Sequence, residues 1–104
     1  MNIIQSKRTI MAVGDSMYPT IKAGDRVGLT PKHNLHTLES GGVYLVETTE
    51  EYNAMRVIRR AYYTDDREHL VLHSDNPLYP DIVLPLQAIT AIWAVGGLLR
   101  FDAM

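Results

Sequence analysis

The sequence predicts a mainly β domain, and three observations favour that class. Short apolar or alternating stretches recur along the chain, each bounded by glycine, proline, asparagine or aspartate. Apolar residues at helical spacing are almost absent. The length of 104 residues suits one domain, and 46% hydrophobic residues are enough for a small core. We therefore expect a single domain over residues 1–104, built of antiparallel strands with little helix.

The first half of the chain is expected to hold three strands. Residues 10–13 are apolar and lead into a glycine turn, and residues 25–29 alternate polar and apolar side chains. Between them, residues 17–21 have room for one helical turn, which a proline keeps short. Residues 30–40 contain proline, asparagine and two histidines and are expected to form a loop. Residues 43–47 are typical of a strand because β-branched and aromatic side chains dominate them.

The second half is expected to form a hairpin followed by further strands. Residues 48–51 are predicted to connect the hairpin, and residues 52–63 to return as one long strand. Residues 69–73 predict another strand, and residues 82–84 a short extended segment between two prolines. Residues 87–99 predict the last strand, in which two consecutive glycines indicate a bulge or a bend.

Composition excludes several classes of protein. Because the chain has no cysteine, disulfide bonds and thiol catalysis are excluded. The net charge of -2 gives no electrostatic indication of nucleic-acid binding. No apolar run approaches the roughly 18 residues that a membrane-spanning helix needs. We therefore expect a cytoplasmic protein without membrane contact.

Four histidines raise the alternative of a metal site. His33 and His36 have a spacing that occurs in metal sites, and His69 and His73 would share one face of a strand. No cysteine or evident group of carboxylates accompanies them. Surface or half-buried histidines are the simpler interpretation. We therefore expect no metal and no cofactor.

The most distinctive segment is the serine turn, residues 13–25. Ser16 lies in a Gly-Asp-Ser-Met turn, where Gly14 permits backbone angles that a Cβ would forbid. Pro19 favours an extended conformation for the residue before it. The serine is therefore presented on a stiff bend between two predicted strands. Nucleophiles are often placed on such a bend, but ordinary turn serines are more common there.

Four motifs, in order along the chain, carry a resemblance to a known family. They are Gly-Asp-Ser-Met with Pro-Thr at residues 14–20, Gly-Asp-Arg-Val at 24–27, the hairpin at 42–57, and Ser-Asp-Asn-Pro with Tyr-Pro at 74–80. With them the chain resembles, over residues 10–98, the C-terminal domain of LexA-like repressors, which are self-cleaving bacterial and phage regulators. UmuD-type mutagenesis proteins and, more distantly, type I signal peptidases are relatives. The resemblance implies a LexA/signal-peptidase-like fold of short, strongly bent antiparallel strands.

The resemblance also implies a catalytic pair of serine and lysine. Ser16 would be the nucleophile, and a lysine on the return strand of the hairpin, kept neutral by burial, would take its proton. In the family that lysine precedes an Arg-Val or similar pair, and here Met55 precedes Arg-Val at residues 56–57. Methionine has no amine, and Arg56 cannot substitute because its guanidinium stays protonated. We therefore expect that Ser16 is not activated.

These expectations favour a regulatory function. The chain is expected to be the C-terminal dimerisation domain of a LexA-like phage-type repressor, paired as a homodimer through the C-terminal strand at residues 88–101, although that strand could instead be entirely core. DNA would be contacted only through an N-terminal helix-turn-helix domain that is not in this chain. Two alternatives are a Ser–Lys autoprotease in an inactivated form and a cleft that binds an extended peptide without cutting it. The predicted site comprises the two catalytic positions and the motif around them, namely Ser16, Met55, Gly14, Asp15, Met17 and Pro19.

Overall fold

The computed structural model of the protein describes residues 8–99, and these residues build one antiparallel sheet of seven strands. The strands are β1 (Arg8–Met11), β2 (Arg26–Lys32), β3 (Val43–Thr48), β4 (Arg56–Tyr63), β5 (His69–His73), β6 (Ile82–Pro85) and β7 (Ile89–Leu99). The helical content of the described part consists of two short 3-10 turns, at Glu50–Tyr52 and Leu86–Ala88. The prediction of a mainly β fold with little helix is confirmed.

The order of the strands across the sheet is β1-β2-β7-β3-β4-β5-β6. The last strand therefore lies between β2 and β3 and pairs with both of them. Strands β1 and β6 lie at the two ends of this order, each with one strand neighbour. Strand β7 thereby joins β1 and β2 to the central hairpin of β3 and β4.

Strand β7 contains the bulge that its two glycines predicted. Gly28 of β2 lies opposite Gly96, but the residue before Gly28 lies opposite Leu98. Gly97 is therefore the extra residue, and its φ of 73° is a left-handed conformation that glycine adopts without steric cost. A second register shift interrupts the pairing of β3 with β7. Such irregularities bend the strands, as the family resemblance implied.

Two apolar clusters form the core, and the alternation of side chains along β3 explains the division. Tyr44 and Val46 belong to the first cluster, together with Leu70 and Leu72 of β5. Leu45 points to the other face of β3 and belongs to the second cluster. The members of the second cluster are Ala12, Met17, Ile21, Val27, Leu29 and Leu45. The second cluster therefore forms the apolar base under the serine turn.

The return strand of the hairpin is shorter than predicted. It begins at Arg56, because Glu50–Tyr52 forms a 3-10 turn and the next two residues, Asn53 and Ala54, have φ values of 69° and 46°. The Thr48 hydroxyl stabilises this connection by accepting a hydrogen bond from the Met55 N–H at 2.8 Å. The prediction that residues 52–55 continue the strand is therefore wrong, and the connection is residues 49–55 instead of 48–51.

Three other strands have boundaries that move by two or three residues. The last strand begins at Ile89 instead of residue 87, because Leu86–Ala88 forms a 3-10 turn. The first strand spans Arg8–Met11 instead of residues 10–13. Strand β2 continues to Lys32 because β7 is long enough to pair with it, and Pro31 lies opposite Trp93.

Within residues 8–99, no helix is long and apolar enough to cross a membrane.

The close approach of β2 to the bulge gives a test of this register. A Cβ on residue 28 would lie 2.7 Å from the Gly96 carbonyl oxygen, so Gly28→Ala should lower the free energy of unfolding by about 1–3 kcal/mol. In the matched control Gly96→Ala, the new Cβ meets no described atom within 4 Å, and the change should stay within about 0.5 kcal/mol. Urea unfolding followed by circular dichroism measures both. Equal midpoints for the two variants would contradict the register of β2 on β7.

Candidate functional site at Ser16

The serine turn is closed by backbone hydrogen bonds between its two ends. The Ala12 N–H donates to the Asp25 carbonyl at 2.7 Å, and the Gly24 N–H donates to the Ala12 carbonyl at 2.9 Å. The buried carboxylate of Asp25 also accepts a hydrogen bond from the Lys22 N–H at 2.7 Å. Gly14 has a φ of 75°, which only glycine adopts freely. The two ends of the turn are therefore fixed to each other by main-chain hydrogen bonds and by the Asp25 carboxylate.

The middle of the turn is anchored from below by Met17. Its side chain is 3% exposed and belongs to the second cluster. The Ile21 N–H donates to the Met17 carbonyl at 2.9 Å, which closes the single helical turn that the sequence predicted. Tyr18 and Pro19 are joined by a cis peptide bond and are exposed. This anchoring leaves the neighbouring Ser16 half-buried at the rim of a cavity.

A loop from a distant part of the sequence holds the serine turn in place. We call residues 74–79, which include the Ser-Asp-Asn-Pro motif, the clamp loop. The Asn76 N–H donates to the Ser16 carbonyl at 2.9 Å, and its side-chain amide donates to the Asp15 carbonyl at 2.9 Å. The Tyr79 hydroxyl donates to the Asp15 carboxylate at 2.6 Å, and this bond raises the pKa of Tyr79. Two of the predicted motifs are thus parts of one site.

An ion pair attaches the clamp loop to β4. Arg60 binds Asp75 through two hydrogen bonds, of 2.7 Å from Nε and 3.0 Å from Nη2. A further bond from Arg60 reaches the Gly41 carbonyl at 3.1 Å, and the Thr20 hydroxyl donates to Asp75 at 2.5 Å. The hydrogen bond from Arg60 holds the pKa of Asp75 below its ordinary value, against the opposing effect of burial. Asp75 therefore joins the hairpin, the clamp loop and the serine turn.

The side chain that contacts Ser16 is Arg59. Its Nη1 donates to the Ser16 hydroxyl oxygen at 2.8 Å and to the Ile58 carbonyl at 2.9 Å. Arg59 is only 9% exposed, and its guanidinium carbon lies 5.8 Å from the centre of the Tyr79 ring. Burial lowers the pKa of Arg59, and the nearby Tyr79 has the opposite effect. An arginine nevertheless stays protonated at ordinary pH, so Ser16 faces a cation.

The structure does not bring Met55 to Ser16, which differs from the sequence expectation. Met55 packs against the first cluster, whereas the second cluster lies under Ser16. Met55 lies in the connection before β4. Arg59, the fourth residue of β4, contacts the serine instead. The sequence interpretation relied on the Arg-Val pair at residues 56–57, whereas the side chain that contacts Ser16 is the first of the Arg-Arg pair at residues 59–60. The signal that it missed was the double arginine at residues 59–60, between the apolar Ile58 and Ala61.

The cavity at Ser16 has a volume of about 250 Å³. One wall comes from residues 10–17 and the other from residues 56–59, with Ile21, Leu45 and Tyr79 between them. Most of these side chains are apolar, and the polar ones are Asp15, Ser16, Arg56, Arg59 and Tyr79, of which Arg59 and Ser16 contact each other. A mostly apolar cavity with a few convergent polar groups is the usual form of a binding site.

The model of the Peptidase S24-like family matches residues 5–96 of the chain. The chain belongs to this family. The LexA/UmuD-type resemblance is thereby confirmed at the level of the peptidase-like domain. No curated protein matches the chain.

Within this S24-like domain, neither described lysine contacts Ser16. Lys22 lies over the Tyr18 ring, with 5.9 Å between its ammonium nitrogen and the ring centre. Lys32 lines a different cavity, beside Ile92. Lys7 lies outside the described residues. The part of the chain that the structure describes thus gives Ser16 a permanent hydrogen-bond donor and no amine that could act as a base.

The histidines of the S24-like domain lie elsewhere. His73 pairs with Asp81 at 2.8 Å, and His69 lies 3.7 Å from Asp66, in both cases on the surface. Across residues 8–99, no group of three or more histidine, aspartate or glutamate side chains is arranged to hold a metal ion.

The ion pair of Arg60 with Asp75 should make a measurable contribution to stability. Because Asp75→Asn leaves Arg60 without its carboxylate, the free energy of unfolding at pH 7 should fall by about 1–3 kcal/mol. The depressed pKa of Asp75 means that this contribution is complete above the unfolded carboxyl value of about 4. It should be lost as the pH falls further, so wild type and variant should converge in acid.

Glu47→Gln is the matched control for this prediction. It breaks the ion pair of Glu47 with Arg56, which is more exposed, and should cost about 0–1 kcal/mol. The free energy of unfolding of wild type and both variants is measured by thermal or urea unfolding, from pH 7 to pH 3 in steps of about one unit. An Asp75→Asn effect no larger than that of the control would contradict the role of the clamp.

Proposed function

We propose that this S24-like domain is a regulatory module that does not cleave itself, because Ser16 is held by a cation where the family uses a base. The observation that carries the proposal is the 2.8 Å hydrogen bond from Arg59 Nη1 to the Ser16 hydroxyl oxygen. A serine attacks only when a neighbouring group accepts its proton. A guanidinium has donors and no acceptor, so Arg59 cannot accept it.

Arg59 also changes how Ser16 uses its hydroxyl group. The bond from Arg59 occupies a lone pair of the oxygen, so the serine keeps its own proton and can donate it. The positive charge would stabilise an alkoxide once it formed, but it supplies no route for removing the proton. Asp15, the nearest carboxylate in the motif, already accepts the Tyr79 hydroxyl.

The regulatory part of the proposal is that of a dimerisation domain in a LexA-like regulator. In such a protein, pairing two domains would bring two DNA-binding domains to a two-fold site, and the second would bind at high effective concentration. The domain family and the clamp-loop motif support this role. Residues 88–101 remain the proposed interface. Because β7 pairs on both edges and its Ile89 and Ile92 are core residues, the contact would use the strand's face or the residues after Leu99.

Replacing the cation with a potential base tests the chemical part of the proposal. The wild-type protein should react with a serine-directed fluorophosphonate no faster than the variant Ser16→Ala. Arg59→Lys should react at least about a hundredfold faster than wild type, because burial lowers the pKa of a lysine and a neutral amine can take the proton. The rate should rise with pH and level off below the ordinary lysine pKa of about 10.4. Intact mass spectrometry measures the labelled fraction.

Met55→Lys is the matched control for position. It introduces the same amine at the residue that the sequence suggested, but it should leave Ser16 unreactive because Met55 packs in the first cluster. Labelling of Ser16 in the wild-type protein would favour the autoprotease alternative. Activation by Met55→Lys, without activation by Arg59→Lys, would contradict the assignment of Arg59 to the base position.

The oligomeric state tests the dimerisation part. The purified chain should form dimers in sedimentation equilibrium over about 1–100 micromolar, the range in which association free energies near -8 to -5 kcal/mol are measured. A chain that remains monomeric throughout this range would contradict the proposal that the domain dimerises by itself.

A further inference from the structure

Arg59 is a buried cation without a carboxylate partner among the described residues. Its neighbours along β4, Arg56 and Arg60, pair with Glu47 and Asp75. The hydrogen bonds of Arg59 instead go to two neutral oxygens, and its Nε is buried without a described partner. At 9% exposure, a charge of this kind carries a desolvation cost that neutral oxygens offset only in part. An anion in the cavity would offset the remainder.

The cavity provides a second donor for such an anion. Because the Ser16 oxygen accepts the bond from Arg59, its hydroxyl hydrogen can point into the cavity that both residues line. The Asp15 carboxylate, which also lines the cavity, is directed to the Tyr79 hydroxyl. The end of the cavity at Arg59 and Ser16 is therefore the end that favours negative charge.

The rest of the cavity favours an apolar group attached to that anion. Its apolar lining includes Ile10, Met17, Ile21, Leu45 and Ile58. A volume of about 250 Å³ accommodates one branched aliphatic side chain and the carboxylate next to it. Burying an aliphatic side chain there is favourable because its apolar surface leaves water.

Two strand edges border the cavity and have no second strand on their open side. Pairing of β4 with β5 begins at Arg60, so residues 56–59 pair with β3 alone. Strand β1 pairs only with β2 in the described part of the chain. Both segments contribute lining residues. Open edges of this kind bind an extended peptide through main-chain hydrogen bonds.

We propose that the cavity binds the C-terminal end of an extended peptide whose last residue is apolar. The terminal carboxylate binds the Arg59 guanidinium and the Ser16 hydroxyl, the last side chain fills the apolar part, and the preceding backbone pairs with an open strand edge. This inference rests on the proposed function, because it requires that Arg59 stays a cation and that Ser16 keeps its proton.

A matched pair of peptides tests the proposal on the whole chain. The probe is an acetylated tetrapeptide of alanines ending in leucine, either with a free carboxylate or amidated, titrated by isothermal calorimetry at pH 7. The free acid should bind at least about tenfold more tightly, because hydrogen bonds between a guanidinium and a carboxylate are stronger than those to a neutral amide. Isovaleric acid, which has the carboxylate and a branched chain but no peptide backbone, should bind more weakly than the free-acid peptide.

Arg59 and Arg67 provide matched variants. Arg59→Gln should abolish the preference for the free acid over the amide, whereas Arg67→Gln should keep it, since Arg67 is exposed, lies over the Tyr63 ring and does not line the cavity. Circular dichroism checks that both variants fold. If Arg59→Gln does not fold, the comparison of the free-acid and amidated peptides on the wild-type protein still tests the proposal.

Three results would overturn the proposal. They are equal affinity of the wild-type protein for acid and amide, binding of isovaleric acid as tight as that of the peptide, and no binding of the free-acid peptide. These results are independent of the labelling experiment. If Arg59→Lys fails to activate Ser16 while the preference for the acid persists, the base-replacement argument fails and the carboxylate site stands.

Discussion

The ion pair between Arg60 and Asp75 is the constraint on which the site depends. It fixes the clamp loop to β4, and the loop in turn holds the serine turn through the two hydrogen bonds of Asn76. The backbone of Arg59, the other partner of the central contact, is held by the pairing of β4 with β3. The apolar base under the turn, with Met17 in the second cluster, completes this support.

Much of the fold could be predicted because its pattern is local. Alternation along β3 separates Leu45 from Tyr44 and Val46, and the glycine pair in β7 indicates the bulge at Gly97. The end of the hairpin could not be predicted in this way. Its connection depends on left-handed backbone at two residues, including an alanine, and on a hydrogen bond from the Met55 N–H to the side chain of Thr48. Neither is visible in residue type or spacing.

The candidate site likewise has parts that the sequence predicted and parts that it did not. The serine turn and the clamp-loop motif were identified from their residues, because turn residues have strong local preferences. Their contact was not predictable, since the Asn76 amide reaches Asp15 across 61 positions of sequence and depends on the pairing of β4 with β5. The partner of Ser16 was missed for a related reason. Several long side chains follow one another on β4, and only the three-dimensional register selects Arg59.

Arginine and lysine respond differently to burial beside a serine. Desolvation lowers the pKa of any buried cation, and for a lysine the result is a neutral amine that can serve as a base. The same desolvation lowers the pKa of Arg59, but a guanidinium starts so far above neutrality that it remains charged. The burial that would activate a serine beside lysine therefore leaves a cation beside Ser16. A buried cation with neutral partners favours any state in which a negative group approaches it. The proposed carboxylate site follows from this difference between arginine and lysine.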